Sequence, residues 1–413
     1  MPKHLRHEEA SLLIAAVSGR ALAQSARRAG FTPLVADFFA DEDTKEAAHA
    51  CRKLPGGIRR GFRRQTLCPA LEALAKLAPS PILGLVYGAG FEDRPDLLRP
   101  AAGRWPLLGT DAATVQRLKS PEHFFSELDR LGIAHPPTAN APQSRKISWL
   151  AKKRGGAGGS HIVPSRLARP TANVYHQQHV KGYAVSVLFI ANGSGARVLG
   201  FSEQWTAPQA SSPWRYGGAV CPAAISAELG RQMSAAVLTV ARSFAIKGLA
   251  SADFLVRDGE PLLLEINPRP GATLDIFDRG AKPLLRLHIE ALRDGKLPAR
   301  PLRFHDAMAS SIVYAERGGP TPAGMEWPAW VADRPKPLEW IDKNHPICTV
   351  LARAATAAQA RRLAETRRRK ILALFQCVSK ERARERQERR GAPGSRLAER
   401  QRQGGSARQG ARR

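Results

Sequence analysis

At 413 residues, with 43% hydrophobic and 24% charged side chains, the chain is long enough for two or three domains around a substantial core. No apolar run approaches the ~18 residues of a membrane-spanning helix, and Glu8, Glu9 and the Gly19-Arg20 break argue against an export signal at the start. The net charge of +28 suits anionic partners, yet residues 351–413 alone hold 19 Lys and Arg against 5 Asp and Glu, which is half of the excess. Cys51, Cys68, Cys221, Cys348 and Cys377 are odd in number and lack CxxC spacing. They point to reduced thiols in a cytoplasmic protein, neither a disulfide frame nor a zinc site.

Residues 11–17 read as a buried strand, 21–29 as a helix stopped at Gly30, and 32–38 as a second strand. With the apolar segment 82–87 this order gives an N-terminal parallel α/β layer. The loops Ser18-Gly19-Arg20 and Tyr87-Gly88-Ala89-Gly90 then fall at strand C-terminal ends, where open sheets bind ligands. Neither matches GxGxxG, so a dinucleotide site is not supported. Residues 111–131 read as one or two helices broken at Pro121, with Lys119 beside the break; 136–146 read as a linker.

A short strand over 147–151 leads into Lys152-Lys153-Arg154-Gly155-Gly156-Ala157-Gly158-Gly159-Ser160. Glycines let a backbone wrap phosphates and the amines neutralise them, but the pattern is not GxxxxGK[ST], and a plain flexible basic loop is the competing reading. Gln177-Gln178-His179-Val180 lies between two strand-like segments, 175–190 overall. An extended hinge there can read an adenine edge through its backbone; an ordinary strand with outward polar residues is the alternative. A further strand covers 196–204. Trp214-Arg215-Tyr216-Gly217-Gly218 is either a substrate loop or a simple turn, and 224–245 is an amphipathic helix.

The richest segment is Ser251-Ala252-Asp253-Phe254-Leu255-Val256-Arg257, Asp258-Gly259-Glu260, then Pro261-Leu262-Leu263-Leu264-Glu265-Ile266-Asn267-Pro268-Arg269-Pro270. Two apolar runs around a Gly-containing turn read as an antiparallel hairpin. A three-residue loop, 258–260, sets Asp253 opposite Glu265 and puts Asp253, Glu265 and Asn267 on one face, with Phe254, Val256, Leu262, Leu264 and Ile266 on the core side. Opposed carboxylates repel and call for a counter-charge, and this oxygen set suits Mg²⁺. A two-residue Asp-Gly turn instead places Asp253 and Glu265 on opposite faces as surface acids. After Pro301 a smaller unit carries strands near 310–314 and 347–351 and a helix over 354–375; beyond about Lys380 the Arg/Gln/Gly-rich composition predicts no stable fold.

The order Lys119, Lys152 before a glycine loop, the hinge 177–180, Asp253, then Glu265-Ile266-Asn267-Pro268-Arg269 resembles the ATP-grasp superfamily over roughly residues 10–375. Within it, the chain is most similar to predicted ATP-dependent carboligases related to biotin carboxylase, including a tyramine–glutamate ligase type. That similarity is carried by Leu107-Leu108-Gly109, Arg154-Gly155-Gly156-Ala157-Gly158-Gly159, Gly200-Phe201-Ser202-Glu203-Gln204-Trp205, Arg215-Tyr216-Gly217-Gly218 and Ala332-Asp333-Arg334-Pro335. The resemblance implies an α/β fold, α+β in its catalytic part. It divides the chain into an N-terminal α/β domain (1–112), a two-lobed nucleotide-binding domain (113–300), a C-terminal cap (301–378) and a basic tail (379–413).

It also implies roles. Lys119 and Lys152 contact ATP phosphates, and Gly155, Gly156, Gly158 and Gly159 close over them. Gln178, His179 and Val180 hold adenine. Asp253, Glu265 and Asn267 bind two Mg²⁺, for which Mn²⁺ can substitute, with Glu265 bridging. Arg269, with Lys152, stabilises the anionic transition state, and Arg215 and Tyr216 meet substrate. One departure stands out: Gln178 and Ala184 occupy places where relatives carry acids, which loosens sugar and nucleotide recognition. The implied activity is phosphorylation of a small carboxylic acid followed by attack of an amine or thiol, in a cytoplasmic homo-oligomer serving methanofuran- or tetrahydromethanopterin-type one-carbon cofactor synthesis. Two alternatives remain at this point: a bicarbonate-using carboxylase of the same fold, and a scaffold binding nucleic acid through its Arg-rich tail.

Overall fold

The computed structural model describes residues 10–144, 146–169 and 171–391. Five strands, β1 (Ser11–Ala15), β2 (Thr32–Asp37), β3 (Ala50–Lys53), β4 (Ile82–Tyr87) and β5 (Leu107–Leu108), pair in parallel in the order β3-β2-β1-β4-β5. Every residue of β1 is buried, as a strand covered on both faces by helices requires. The strand order reverses beside β1, so the crevice at the C-terminal ends of β1 and β4 faces the rest of the chain.

A four-stranded sheet of β6 (Thr138–Ala139), β7 (Trp149–Lys153), β8 (Ile162–Pro164) and β9 (Val174–Gln178) runs β6-β9-β7-β8. The strand expected over 147–151 therefore starts and ends two residues later, and Lys152 lies inside it. Beyond comes one large sheet: β10 (Tyr183–Asn192), β11 (Ala196–Thr206), β12 (Tyr216–Cys221), β13 (Lys247–Arg257), β14 (Glu260–Asn267), β15 (Ala307–Tyr314), then β17 (Val331–Ala332) and β19 (Pro346–Ala354). Its order is β14-β13-β10-β11-β12-β15-β19-β17. Strands after Pro301 thus extend the central sheet through the β12–β15 pairing, with only the short ribbon of β16 (Gly319–Pro320) and β18 (Trp340–Ile341) apart.

The helix Ala227–Ser243 starts where the Ser226 side chain accepts a hydrogen bond from Leu229 N, and it buries Leu229, Met233, Val237, Val240 and Ala241 at helical spacing. These pack against Val187, Phe189, Phe254 and Ile266 of the large sheet and Phe124 of the helix Pro121–Arg130. On the opposite face of that sheet, Leu188, Ile190, Leu199 and Leu249 join a second apolar core with Leu285 and Ile289, while Ser186, Ser202, Ser251 and Asp253 leave the other end polar. The last helix, Ala357–Gly391, runs well past the expected end at 375; residues 392–413 of the expected tail lie outside the described residues. Among the described residues, no helix is long and apolar enough to cross a membrane.

Candidate active site

Asp258 (φ 52°) and Gly259 (φ 86°) form a two-residue turn between Arg257 and Glu260, not the expected three-residue loop. A uniform ladder from that turn would separate Asp253 and Glu265. A β-bulge at Leu264 shifts the register by one, so Phe254 pairs with Leu263 but Asp253 pairs with Glu265 and Ser251 with Asn267. The expected acidic face exists, reached by a different route. The bulge also corrects the core side: Leu263 is buried with Phe254, Val256 and Ile266, whereas Leu262 and Leu264 are half-buried.

Asp253 Oδ1 accepts from Ser186 Oγ (2.6 Å) and Gln204 Nε2 (3.3 Å), and Asp253 Oδ2 from Asn267 Nδ2 (3.0 Å). Lys119 closes the helix Ala112–Lys119, and its Nζ reaches Asn267 Oδ1 (2.9 Å) and Glu265 Oε2 (3.1 Å). Burial by itself raises Glu265, but Lys119, His161 and Lys152 hold it down at about 2; burial and the Glu265 charge raise Asp253. Two carboxylates and an amide oxygen on one rigid face fit a hard cation. They do not enclose one: among the described residues there is no group of three His, Cys, Asp or Glu placed to hold a metal ion. An ion here must complete its shell with water and a ligand's oxygens.

Arg269 follows directly. Its guanidinium meets Glu92 Oε1 from Nη2 (2.6 Å) and Nε (2.7 Å), and Glu92 Oε2 accepts from Gly90 N (2.7 Å). Glu92 sits in the loop after β4, so the parallel sheet and the hairpin meet at this buried pair. Burial opposes the Glu92 charge, but Arg269 and Lys119 keep its carboxyl low. Tyr87 secures the junction, its hydroxyl lying 2.6 Å from Thr110 O and 3.2 Å from Pro268 O. Glu92 escapes sequence reading because a single acid after Gly-Phe carries no pattern; only its place at the end of β4 marks it.

Across the cleft, Lys152 Nζ donates to Gln177 Oε1 (2.5 Å), and burial lowers this lysine to about 8. Gln177 is 1% exposed and its Nε2 has no partner. The buried polar member of the hinge is thus Gln177, while Gln178 is half-buried and anchored by Gln178 N to Pro137 O (2.8 Å) and, next to it, His179 N to Ser148 O (2.8 Å). Val180 lies in the connection between β9 and β10, two residues past Gln178. His179 packs edge-on to Trp214, ring centroids 5.6 Å apart.

The glycine loop lies against the molecule. Gly155 (φ 66°) is so close to the Glu92–Asp93 backbone that a Cβ would sit 2.6 Å from Glu92 O; at Gly159 (φ 70°) it would lie 2.0 Å from Trp214 O. Gly156 passes the His161 ring, and Gly158 O accepts from Tyr216 N (3.0 Å). Burial brings His161 down to about 4. Lys153 pairs with Asp93 (2.8 Å) and Arg154 with both oxygens of Glu122. Arg215 is engaged elsewhere: it donates to Ala207 O (3.0 Å) and Asn344 O (3.1 Å) and lies over the Tyr314 ring. Tyr216 is half-buried at the edge of β12, its carbonyl taken by the Tyr314 hydroxyl.

The glycine loop, the acidic face, Lys119, Lys152 and Arg269 therefore lie together, whereas Arg215 clasps the C-terminal strands. Residues 122–273 match the ATP-grasp domain family. The chain is 22% identical over 362 residues to an uncharacterised protein of Methanocaldococcus jannaschii, covering 83% of this chain and 88% of that one. It is 32% identical over 213 residues to D-alanine–D-alanine ligase of Janthinobacterium sp., covering 48% of this chain and 63% of that enzyme, so it spans less than two thirds of that ligase's length. Its fold is similar to the biotin carboxylase domain of Hydrogenobacter thermophilus 2-oxoglutarate carboxylase, solved with MgADP, ADP and bicarbonate (TM-score 0.66, 12% identity, 86% of this chain and 89% of that one).

Proposed function

We propose that the chain is an ATP-grasp ligase that joins a small carboxylic acid to an amine or thiol through an acyl phosphate, a reading supported by the family match over residues 122–273 and the partial likeness to D-alanine–D-alanine ligase. The carboxylate oxygen bonds to the γ-phosphorus of ATP and ADP departs. The nucleophile then attacks the acyl carbon, loses its proton, and inorganic phosphate leaves. Lys119, Lys152 and the Gly155–Gly159 backbone bind the phosphates, and residues 178–180 bind the base. Arg269, held by Glu92, orients the acid and stabilises charge developing on the transferring group. Asp253, Glu265 and Asn267 would hold Mg²⁺, as two ions, or Mn²⁺, which would supply charge neutralisation and phosphate orientation.

The observation that carries this reading is the bulged hairpin, which turns two carboxylates and an amide toward Lys119 beside a buried Arg269. The resemblance to tyramine–glutamate ligases supports a place in one-carbon cofactor synthesis. Full-length protein given ATP, Mg²⁺, glutamate and a panel of amines including tyramine is expected to release ADP and phosphate in step with an amide seen by mass spectrometry. Active, folded protein that fails to bind ATP in calorimetry would end the reading. A bicarbonate-dependent, amine-independent ADP release would move the chemistry to the carboxylase branch, which the fold similarity supports equally. A chain ending at Gly391 is expected to keep its turnover; any salt-sensitive nucleic-acid binding should go with the removed residues.

A further inference from the structure

The acidic face already carries a cation of the protein's own. Lys119 Nζ lies 2.9 Å from Asn267 Oδ1 and 3.1 Å from Glu265 Oε2, and its side chain is only 6% exposed. These are the oxygens a hard divalent ion would take at about 2.0–2.1 Å. An ion bound to both would stand next to the ammonium, and two positive charges at that range in a partly dehydrated cleft repel strongly. Ion and ammonium cannot share the pair.

Resting on the ATP-dependent reading, we infer that Lys119 is an internal counter-ion that excludes divalent metal until a nucleotide arrives. The helix Ala112–Lys119 holds the lysine at its last residue, so the ammonium can swing without disturbing the strands. A polyphosphate supplies the anion the displaced ammonium needs, and its oxygens complete the metal's shell. Metal and nucleotide therefore enter together, and each tightens the other's binding by the same factor. The lysine is a positioning residue whose second task is to keep Glu265 and Asn267 from capturing metal alone, while Asn267 stays available to donate to Asp253.

The test is Mn²⁺ binding to the full chain without nucleotide, read by electron paramagnetic resonance and calorimetry. Lys119→Met is expected to bind Mn²⁺ about tenfold or more tightly than the parent, within the usual range of coupling between sites. Lys119→Arg, which keeps the charge, should exclude it as the parent does. In the Met variant the tightening of Mn²⁺ by ADP should shrink. Circular dichroism checks folding, and Lys119→Gln carries the same test if the Met variant fails it. Equal nucleotide-free Mn²⁺ affinity in parent and neutral variants overturns the inference even if Mn-ADP binds well; a parent that binds neither Mn-ADP nor Mn-ATP instead overturns the ATP-dependent reading.

Discussion

Among the described residues, Lys152 has no carboxylate within bonding reach. Its partner is the neutral Gln177 amide, and burial leaves its ammonium titrating near 8, below its ordinary 10.5. Between those two values the unfolded chain holds more protons than the folded one, so this residue's contribution makes the folded protein more stable as pH rises through the window. Nucleotide phosphates favour the charged form, so binding near pH 9 should take up about half a proton or more at Lys152. Calorimetry in buffers of different ionisation enthalpy measures this directly. Identical heats in all buffers at pH 9 would show that Lys152 is already charged. Lys152→Arg, which stays protonated, should abolish the uptake.

Single residues differ in how well the sequence announces them. Lys152 and the glycines stand in a pattern and are legible; Asp253, Glu265 and Asn267 are legible through strand alternation. Glu92 is not, because its importance comes from a partner 177 positions away; Gln177 is legible as a hinge residue, but not its bond to Lys152, 25 positions off. Arg215 illustrates contacts that the sequence does not announce. Its neighbours suggest a substrate loop, but its guanidinium finds Asn344 O and the Tyr314 ring, contacts that exist only once β15 and β19 have joined the sheet.

At the scale of elements, the hairpin shows why a correct conclusion can follow from a wrong turn. Loop length and bulge both shift register by one residue, and the sequence does not distinguish a third loop residue from an extra residue inside β14. The Asp258-Gly259 pair favours the tight turn, and the cost of separating the acids from their face selects the bulge. The glycine loop makes a sharper prediction. At Gly159 both the positive φ and the Trp214 carbonyl, 2.0 Å from a would-be Cβ, forbid a side chain in the docked loop. Gly159→Ala should leave the unfolding midpoint nearly unchanged, since few core contacts involve this loop, while weakening ATP binding about tenfold or more by holding the loop off the phosphates. Calorimetry gives the affinity and limited proteolysis reports loop docking. Parental ATP affinity in a well-folded variant would mean the loop does not close on nucleotide.

At the scale of the whole molecule, the parallel sheet, the hairpin region and the C-terminal strands converge on one buried side chain. Arg20, which opens the helix after β1 and is 3% exposed, pairs with both oxygens of Asp275 (2.5 and 2.7 Å) and both of Asp333 (2.9 and 3.2 Å). Asp333 is further held by Ser18 and Thr349. Burial works against the Asp333 charge, but Arg20 beside it and these hydroxyls keep the carboxyl below its usual range. Its stabilisation is therefore present above the unfolded carboxylate pKa and is lost as the solution turns acid. Arg20→Met leaves Asp275, Asp333 and, 3.9 Å away, the buried Asp43 without their cation and should cost about 3–5 kcal/mol. Arg334 offers the comparison: its close partner across the same boundary is Glu46, the two side chains being 25% and 65% exposed, and it reaches the buried Asp43 only at 3.9 Å. Arg334→Met should cost about 1 kcal/mol or less. Urea unfolding at neutral pH separates the two, and the Arg20 deficit should shrink in acid as Asp333 takes up its proton. Equal losses in both variants would show that the three parts are joined by their apolar contacts alone.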